Sequence, residues 1–234
     1  MRVRVHVLPA LFGCALLGLA LALGACGRNE SEATSAVASG NTQNRDSASV
    51  ATETSVPVAA QAGPRVAMHT SMGDIVVELF PDKSPKTVAN FLTYAKEGFY
   101  NGTVFHRVID DLLIQGGGYT PELQKKAAHP PIGNEANNGL SNQRGTIAAA
   151  RGRTPSSETS EFFINLVDNP RFDYTSDAND YTWGYTVFGK VVSGMDVVDK
   201  IRAVKTHPQG KFTSDVPIAA VVIKSVDILP PASQ

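Results

Sequence analysis

The chain has 234 residues, of which 42% are hydrophobic and 18% are charged, and this suits one folded domain with additional segments. Its 21 basic and 22 acidic side chains give a formal net charge of −1, so no basic excess favours nucleic-acid binding. The two cysteines, Cys14 and Cys26, both lie near the N-terminus. Their placement excludes a disulfide framework, a cysteine metal site and a cysteine nucleophile from the rest of the chain.

The first residues have the features of an export signal. Arg2 and Arg4 precede the apolar run ALFGCALLGLALALGAC. The run ends in LGAC, which resembles the bacterial lipoprotein box, so we expect residues 1–25 to be a signal peptide and Cys26 to carry a lipid anchor. An uncleaved membrane-spanning helix and a secreted protein cleaved elsewhere are the alternatives. All three place the folded part outside the cytoplasm, and Gly27 favours the outer membrane under the Gram-negative sorting rule.

The next segment, residues 26–64, is predicted to be a disordered tether that starts at the lipidated cysteine. It is dominated by Ser, Thr, Ala, Asn and Glu, with no aromatic residue and no apolar periodicity. Such a composition cannot bury enough apolar surface to offset the entropy lost on ordering. A flexible chain of this length has a root-mean-square span of about 35 Å. The tether would therefore let an anchored domain sample the space near the membrane. Residues 231–234 are predicted to be a short tail.

Short strand-like runs open the folded part. RVAMHT and DIVVELF flank SMG, where Gly73 can adopt a positive φ, so a β-hairpin is predicted. A helix follows, with Ser84 as its N-cap, Pro85 at its first position and Gly98 at its end. After an Asn-Gly turn, YNGTVFHRV is predicted to return to a strand.

The second half of the folded part has more strand-like runs than helices. Strands are predicted at residues 145–151, 161–166, 185–192 and 217–229, and a second helix in GMDVVDKIRAV. Many strands, few helices and no βαβ alternation indicate an all-β fold with a closed antiparallel sheet, a sandwich being the alternative. The domain is predicted to span residues 65–230.

One run raises a chemical question. FHRVIDDLLIQGGGY, residues 105–119, looks like a single buried strand, yet it carries Arg107 and ends in Gln115 and three glycines. A packed strand gains nothing from an unpaired arginine. The glycines are followed by neither a lysine nor a helix, so a phosphate loop is disfavoured, and no hydrolase elbow or zinc-protease motif occurs. His106 and the other histidines lack ligand spacing, so His106 is predicted to be structural and no metal is expected.

Five separated patches, taken in order, resemble the cyclophilin family of peptidyl-prolyl cis-trans isomerases. They are FHRVI…IQGGG, GTIAAAR, SEFFIN, NPRFD and GYTVFGKVVSGMDVVDKI. The resemblance covers nearly all of residues 65–229, and NGLSNQRGTIAAAR is similar to the bacterial periplasmic branch, which agrees with the export signal. It implies an eight-stranded antiparallel barrel capped by two α-helices, with the active groove on the outer face of the barrel.

The resemblance also implies a role for each matching position, in a reaction that uses no cofactor. Arg107 matches the catalytic arginine, which would donate a hydrogen bond to the prolyl nitrogen as it becomes pyramidal in the twisted transition state. Gln115 would hold a substrate carbonyl, and the backbone of Arg151 would bond the peptide near the proline. Core packing is the alternative for Leu113 and Phe163. The full set of implied substrate-binding residues is Leu112, Leu113, Gln115, Ala150, Arg151, Phe163, Phe172 and Tyr185.

Some positions depart from the family pattern. Asp110, Asp111 and Leu112 stand where relatives usually have Pro-Gly-Phe, and Glu161 replaces a glutamine. Because the two acids lie close to Arg107 in sequence, we expect them to draw the guanidinium aside or to weaken the binding of acidic peptides, and either effect would reduce activity. An ordinary ion pair between Arg107 and one of these acids is the alternative to a catalytic role.

We therefore predict a monomeric isomerase that assists the folding of exported proteins. Its partners would be proline-containing unfolded or flexible polypeptides and, through Cys26, the membrane on the periplasmic side of the cell envelope. Nucleic acid is not expected as a partner. The alternative is a chaperone or envelope assembly module that binds proline segments with weak or no isomerase activity. A purely structural lipoprotein would leave Arg107, Gln115 and Phe163 unexplained.

Overall fold

The computed structural model describes residues 63–230, so the predicted signal peptide, Cys26, nearly all of the tether and the tail lie outside the described residues. The strands are β1 (Arg65–Thr70), β2 (Gly73–Leu79), β3 (Thr103–Ile109), β4 (Leu113–Gly116), β5 (Thr146–Ala149), β6 (Phe162–Asn165), β7 (Val187–Ser193), β8 (Thr206–Gln209), β9 (Phe212–Pro217) and β10 (Val222–Ile228). The α-helices are α1 (Pro85–Lys96) and α2 (Met195–Arg202). Within this part of the chain, no helix has the length and apolarity needed to cross a membrane.

Eight strands close into an antiparallel barrel in the order β1, β10, β3, β4, β6, β5, β7, β2. This confirms the predicted closed sheet with two helices and excludes the sandwich. Burial alternates along β2, where Ile75, Val77 and Leu79 are fully buried and the residues between them are partly exposed. Alternate side chains of each strand point into the barrel, so this alternation is what fills its interior.

Both helices bury an apolar face in the barrel core. Val88 and Phe91 of α1 and Val198 and Ile201 of α2 belong to the same buried cluster as the inward residues of the strands. Gly98, with a φ of 64°, follows the end of α1 as predicted. A glycine adopts this left-handed conformation without steric cost, which is why it terminates helices.

The predicted N-cap interaction of α1 is wrong. Ser84 occupies the cap position, but its Oγ donates to the carbonyl of Val187 at 2.7 Å and does not accept from the helix. The carboxyl group of Glu135 accepts instead from the backbone N–H groups of Lys86 at 3.1 Å and Thr87 at 2.9 Å. An acid here satisfies free N–H groups and interacts favourably with the helix dipole. Ser84 thus ties the start of α1 to β7.

Two strand predictions are also wrong. The run at 105–119 is not one strand, because the chain turns at Asp111, whose φ is 57°, and β3 pairs with β4 as a hairpin. The predicted strand at 217–229 is divided, since Pro217 ends β9 and β10 begins only at Val222. Proline lacks the N–H that a continued ladder needs. The β8–β9 hairpin, which was not predicted, forms a separate two-stranded sheet.

Candidate active site

Strand register aligns four residues across the outer face of the barrel. Arg107 of β3 pairs with Gln115 of β4. Gln115 pairs in turn with Phe163 of β6, and Phe163 with Ala148 of β5. Directly paired residues on antiparallel strands point to the same face. The preceding residue of β6, Phe162, lies in the barrel core, so these four residues form a row on the outside. We call them the outer row.

A second apolar cluster, the outer cluster, surrounds part of this row and is separate from the barrel core. Its buried members are Leu113, Ala148, Phe163 and Val187, and its partly buried members are Leu112, Leu140, Ala150, Phe172 and Tyr185. The rings of Phe163, Phe172 and Tyr185 meet in pairs with centroid distances of 5.8, 5.4 and 5.1 Å. Leu113 and Phe163 therefore do not pack in the barrel core. They form the floor of an apolar surface, and the half-buried rings form its wall.

The guanidinium of Arg107 is held from two sides. Its Nη1 donates to Gln115 Oε1 at 3.4 Å, and its Nε lies 4.0 Å from Asp215 Oδ2. The side chain is 42% exposed. Within residues 63–230, no hydrogen-bond acceptor lies within reach of its third nitrogen, Nη2. The two N–H donors of this nitrogen thus remain available at the end of the outer row.

The expectation that Asp110 and Asp111 divert Arg107 is wrong. Arg202, at the end of α2, donates through Nε to Asp110 and through Nη2 to Asp111. The hydrogen bond from Arg202 lowers the pKa of Asp110 below its ordinary value. The left-handed backbone at Asp111 bends the β3–β4 turn, and both acids pair with α2. The first of the two reasons for expecting weakened activity is therefore removed, while the effect of the acids on acidic peptides stays a prediction.

Gln115 is oriented by Glu161, the residue that directly precedes β6. Its Nε2 donates to Glu161 Oε2 at 3.0 Å, which leaves Oε1 directed at Arg107. Glu161 is only 15% exposed and also lies 3.4 Å from Lys125 Nζ. One of the two N–H bonds of Gln115 is thus used within the protein, and the other remains for a substrate carbonyl. Sequence reasoning noted the substitution at Glu161 but not this contact.

Arg151 anchors a loop beside the outer cluster through its side chain. Its Nε donates to the carbonyl of Gly184 at 2.8 Å and its Nη2 to the carbonyl of Asp180 at 2.8 Å. The guanidinium carbon lies 4.8 Å from the centre of the Tyr185 ring, a cation–π contact. The sequence suggested a role only for the backbone of this residue. Its side chain fixes residues 180–185 in place and so supports one wall of the cluster.

Two buried ionisable residues lie close to the site. Burial lowers the pKa of His106 to about 4, so its imidazole is neutral near pH 7 and is not a proton carrier there. Its ring packs at 4.5 Å from that of Tyr119, and its Nε2 lies 3.4 Å from Glu161 Oε2. Burial raises the pKa of Glu158 to about 8. Its Oε1 accepts from Asn134 Nδ2 at 2.9 Å and Thr186 Oγ1 at 2.8 Å, next to Tyr185.

The residues predicted from sequence converge to a large extent. Seven of them, Leu112, Leu113, Ala150, Phe163, Phe172, Tyr185 and Arg151, lie in or against the outer cluster, and Arg107 and Gln115 adjoin it through the outer row. Sequence reasoning missed Ala148, Leu140 and Val187, whose small or aliphatic side chains carry no chemical signal. It also missed Asp215, which lies far along the chain from Arg107. In residues 63–230, no three potential ligands among His, Cys, Asp and Glu are grouped closely enough to hold a metal ion.

Comparison with known proteins gives consistent matches over the barrel. The family model described as cyclophilin type peptidyl-prolyl cis-trans isomerase/CLD matches residues 65–225. Peptidyl-prolyl cis-trans isomerase B of Escherichia coli (strain K12) is 53% identical over 163 residues, which cover 70% of this chain and 98% of that protein. A peptidyl-prolyl cis-trans isomerase of Streptomyces antibioticus is 51% identical over 164 residues, with coverage of 70% and 98%.

A solved structure shows the same similarity. The crystal structure of a cyclophilin type peptidyl-prolyl cis-trans isomerase from Cryptosporidium parvum is similar with a TM-score of 0.60 and 27% sequence identity. The match covers 71% of this chain and 98% of that one.

Proposed function

The chain belongs to the cyclophilin-type peptidyl-prolyl cis-trans isomerases, and we propose that it accelerates X-Pro isomerisation through Arg107 without a covalent intermediate. Rotation about an X-Pro bond must break amide resonance, and the barrier is about 18–20 kcal/mol. In the twisted state the prolyl nitrogen becomes pyramidal and regains a lone pair. A hydrogen bond donated to that lone pair stabilises the transition state more than either planar isomer, so it lowers the barrier.

The observation that carries this proposal is the environment of the Arg107 guanidinium. Two of its nitrogens face Gln115 and Asp215, and Nη2 has no acceptor within reach among the described residues. A guanidinium stays charged at all physiological pH values and presents its donors in one plane. We assign Nη2 as the donor to the prolyl nitrogen. Held in this way, it would be in place before the substrate twists, so little reorganisation would be needed.

The outer cluster would receive the proline ring. Leu113 and Phe163 would lie beneath the ring, and the half-buried Phe172 and Tyr185 would contact its edge. Apolar contact of this kind binds both isomers and the twisted state, so it contributes to affinity and to holding the ring while the preceding carbonyl rotates. The free N–H of Gln115, the backbone of Arg151 and the groove residues Leu112 and Ala150 would hold the peptide on either side.

The steady-state test uses the full chain, an Ala-Pro peptide and a protease-coupled assay of cis-to-trans conversion. Arg107→Ala should lower kcat/KM by about ten- to a hundredfold, because the side chain acts on the transition state. Arg107→Lys keeps the charge but not the planar donor set, so it should recover only part of this loss. The circular dichroism spectrum and the melting temperature of both variants should match those of the native chain, because the Arg107 side chain is half-exposed. Unchanged kcat/KM for Arg107→Ala would remove this residue from the mechanism.

We further propose that the clients are exported proteins and that the enzyme is lipid-anchored at Cys26 on the periplasmic side of the outer membrane. The LGAC sequence after an apolar run supports this placement. Uncatalysed prolyl isomerisation takes about 10–100 s at 25 °C, so it limits the folding of newly exported chains. Cys26→Ser should release the protein from membranes into the soluble periplasmic fraction. Continued sedimentation with membranes would favour an uncleaved spanning helix.

A further inference from the structure

The β8–β9 hairpin packs onto β3, and apolar residues of β9 lie on either side of Asp215 in the sequence. The ring of Phe212 lies 5.5 Å from that of His106 and 5.3 Å from that of Tyr119. On the other side, Val216 is 3% exposed. The segment between these two residues is thus held against the strand that carries Arg107. Asp215 lies in this segment, with its carboxyl group facing Arg107.

The strand register gives this segment an irregular geometry. His207 pairs with Val216, but the next pair is Gln209 with Phe212. Pro208 alone therefore lies opposite the three residues 213–215, which form a bulge in β9. A proline has no N–H to pair with an opposing strand, so its presence permits the bulge. Bulges disrupt the ladder locally and redirect a side chain, and they occur often next to active sites.

The backbone of Asp215 has an uncommon conformation. Its φ is 69°, in the left-handed region that non-glycine residues rarely adopt and that Asp and Asn tolerate best. The hydroxyl of Ser214 donates to Asp215 Oδ2 at 2.7 Å and so helps to orient the carboxyl group. Backbone strain of this kind persists only where surrounding structure maintains it, and it is concentrated at functional contacts.

The contact with Arg107 has little value for stability. Asp215 Oδ2 lies 4.0 Å from Arg107 Nε, and the two side chains are 29% and 42% exposed. An ion pair at this distance and exposure contributes little to the free energy of unfolding. It therefore does not offset the cost of a bulge and a left-handed aspartate. A role in orienting the guanidinium accounts for both features.

We propose that Asp215 is a positioning residue for catalysis: it holds the Nε edge of Arg107 so that Nη2 is directed at the prolyl nitrogen. Gln115 holds the guanidinium at Nη1, and the two contacts together fix the plane of the group. A long, half-exposed arginine otherwise samples several rotamers, and catalysis requires one of them. This inference rests on the proposed role of Arg107 as the transition-state donor.

The test compares Asp215→Asn with the native full chain. Asparagine keeps the size of the side chain and tolerates the left-handed backbone, but it removes the charge. We expect kcat/KM on an Ala-Pro peptide to fall about three- to fivefold, with the peptide dissociation constant, measured by NMR titration, unchanged. Asp199→Asn is the matched control, because Asp199 also pairs with an arginine, in its case Arg144, at 2.8 Å. It should leave kcat/KM unaltered.

A double-mutant cycle separates positioning from a structural role. In an Arg107→Ala background, Asp215→Asn should cause no further loss, because its effect is exerted through the guanidinium. An equal loss in both backgrounds would overturn the proposal. Asp215→Gly should melt at or above the native temperature, since glycine fits the φ of 69°, and should show the same reduced rate. A folded Asp215→Gly with native kcat/KM would also overturn it.

The two proposals fail in different ways. If Arg107→Ala lowers kcat/KM and Asp215→Asn does not, positioning by Asp215 is excluded while the proposed function stands. If Arg107→Ala leaves kcat/KM unchanged, the proposed role of Arg107 is excluded, and the positioning role is excluded with it.

Discussion

Gln115 lies directly opposite Arg107 across the β3–β4 pair, with its amide oxygen 3.4 Å from Nη1 of the guanidinium. The other end of the same amide donates to Glu161 at 3.0 Å. A carboxyl group is acceptor-only when ionised, so it can bind only the nitrogen end of the amide. Glu161 therefore determines which way Gln115 faces, and through it where Arg107 is held.

The first prediction concerns this chain of contacts. Glu161→Ala should lower kcat/KM about two- to fivefold, because the Gln115 amide loses the hydrogen bond that orients it. Glu161→Gln is the matched control, since its amide oxygen can still accept from Gln115 Nε2, and it should retain most of the native value. The protease-coupled assay checks both variants. A fall that is equally large in Glu161→Gln would show that the charge matters and that orientation does not.

The second prediction concerns the turn between β3 and β4. Replacing Asp110 and Asp111 together with asparagine should leave kcat/KM unaltered, because these acids pair with Arg202 and not with Arg107. The melting temperature should fall slightly at low salt, and the difference should shrink at high salt as exposed ion pairs are screened. A rise in kcat/KM would mean that, in solution, these acids pair with the Arg107 guanidinium and hold it away from the substrate.

The third prediction separates the floor of the outer cluster from its wall. Phe163 is 1% exposed, so Phe163→Ala should destabilise the fold by about 3–5 kcal/mol, measured by urea unfolding. Phe172 is half-buried, so Phe172→Ala should cost much less stability and should mainly raise KM for a prolyl peptide. An unaltered KM for a folded Phe172→Ala would place the proline ring elsewhere.

The fourth prediction follows from the buried carboxyl group of Glu158, whose pKa is raised from 4.5 to about 8. Between these values the native state keeps a proton that the unfolded state has lost, so stability falls as pH rises through this window. Below this pH window Glu158 is protonated in both the native and the unfolded state. Above the window it is ionised in both, and the loss of stability is complete. Glu158→Gln keeps an oxygen that can accept from Asn134 and Thr186 but cannot ionise.

The melting temperature of Glu158→Gln minus that of the native chain should therefore increase from pH 5 to pH 8 and stay constant above that. Thermal scans at intervals of one pH unit would show the trend. A difference that is flat with pH would mean that Glu158 ionises normally in the folded protein. Asp196→Asn, which removes an exposed acid paired with Lys200, is a control for general charge effects.

The sequence was sufficient to predict the barrel and three of the four residues of the outer row, all but Ala148. The residues of β2 alternate with period two, and Arg107, Gln115 and Phe163 lie in short runs whose spacing matches a known family. Register then follows from which faces are apolar. The floor and wall of the outer cluster could be predicted in the same way, although core packing is the favoured interpretation of Leu113 and Phe163 taken alone, and only their spacing from Arg107 and Gln115 reverses it.

The remaining features depend on contacts between distant parts of the chain. The polar run THPQGKFTSD has no apolar alternation, so the β8–β9 hairpin and Asp215 gave no strand signal. Glu135 accepts from the first N–H groups of α1 because the Ser84 hydroxyl bonds the carbonyl of Val187 on β7. The sequence around Ser84 gives no indication of this distant contact. Likewise, Asp110 lies close to Arg107 in sequence but bonds Arg202, whose position only the packing of α2 reveals.

The most direct test of the account is the rate of cis/trans interconversion on the enzyme, measured by NMR exchange with a prolyl peptide bound to the full chain and to Arg107→Ala. The account predicts that the exchange rate within the bound state falls about ten- to a hundredfold while the dissociation constant changes little. An unchanged exchange rate with weakened binding would contradict it, because Arg107 would then act on the ground state and not on the twisted amide.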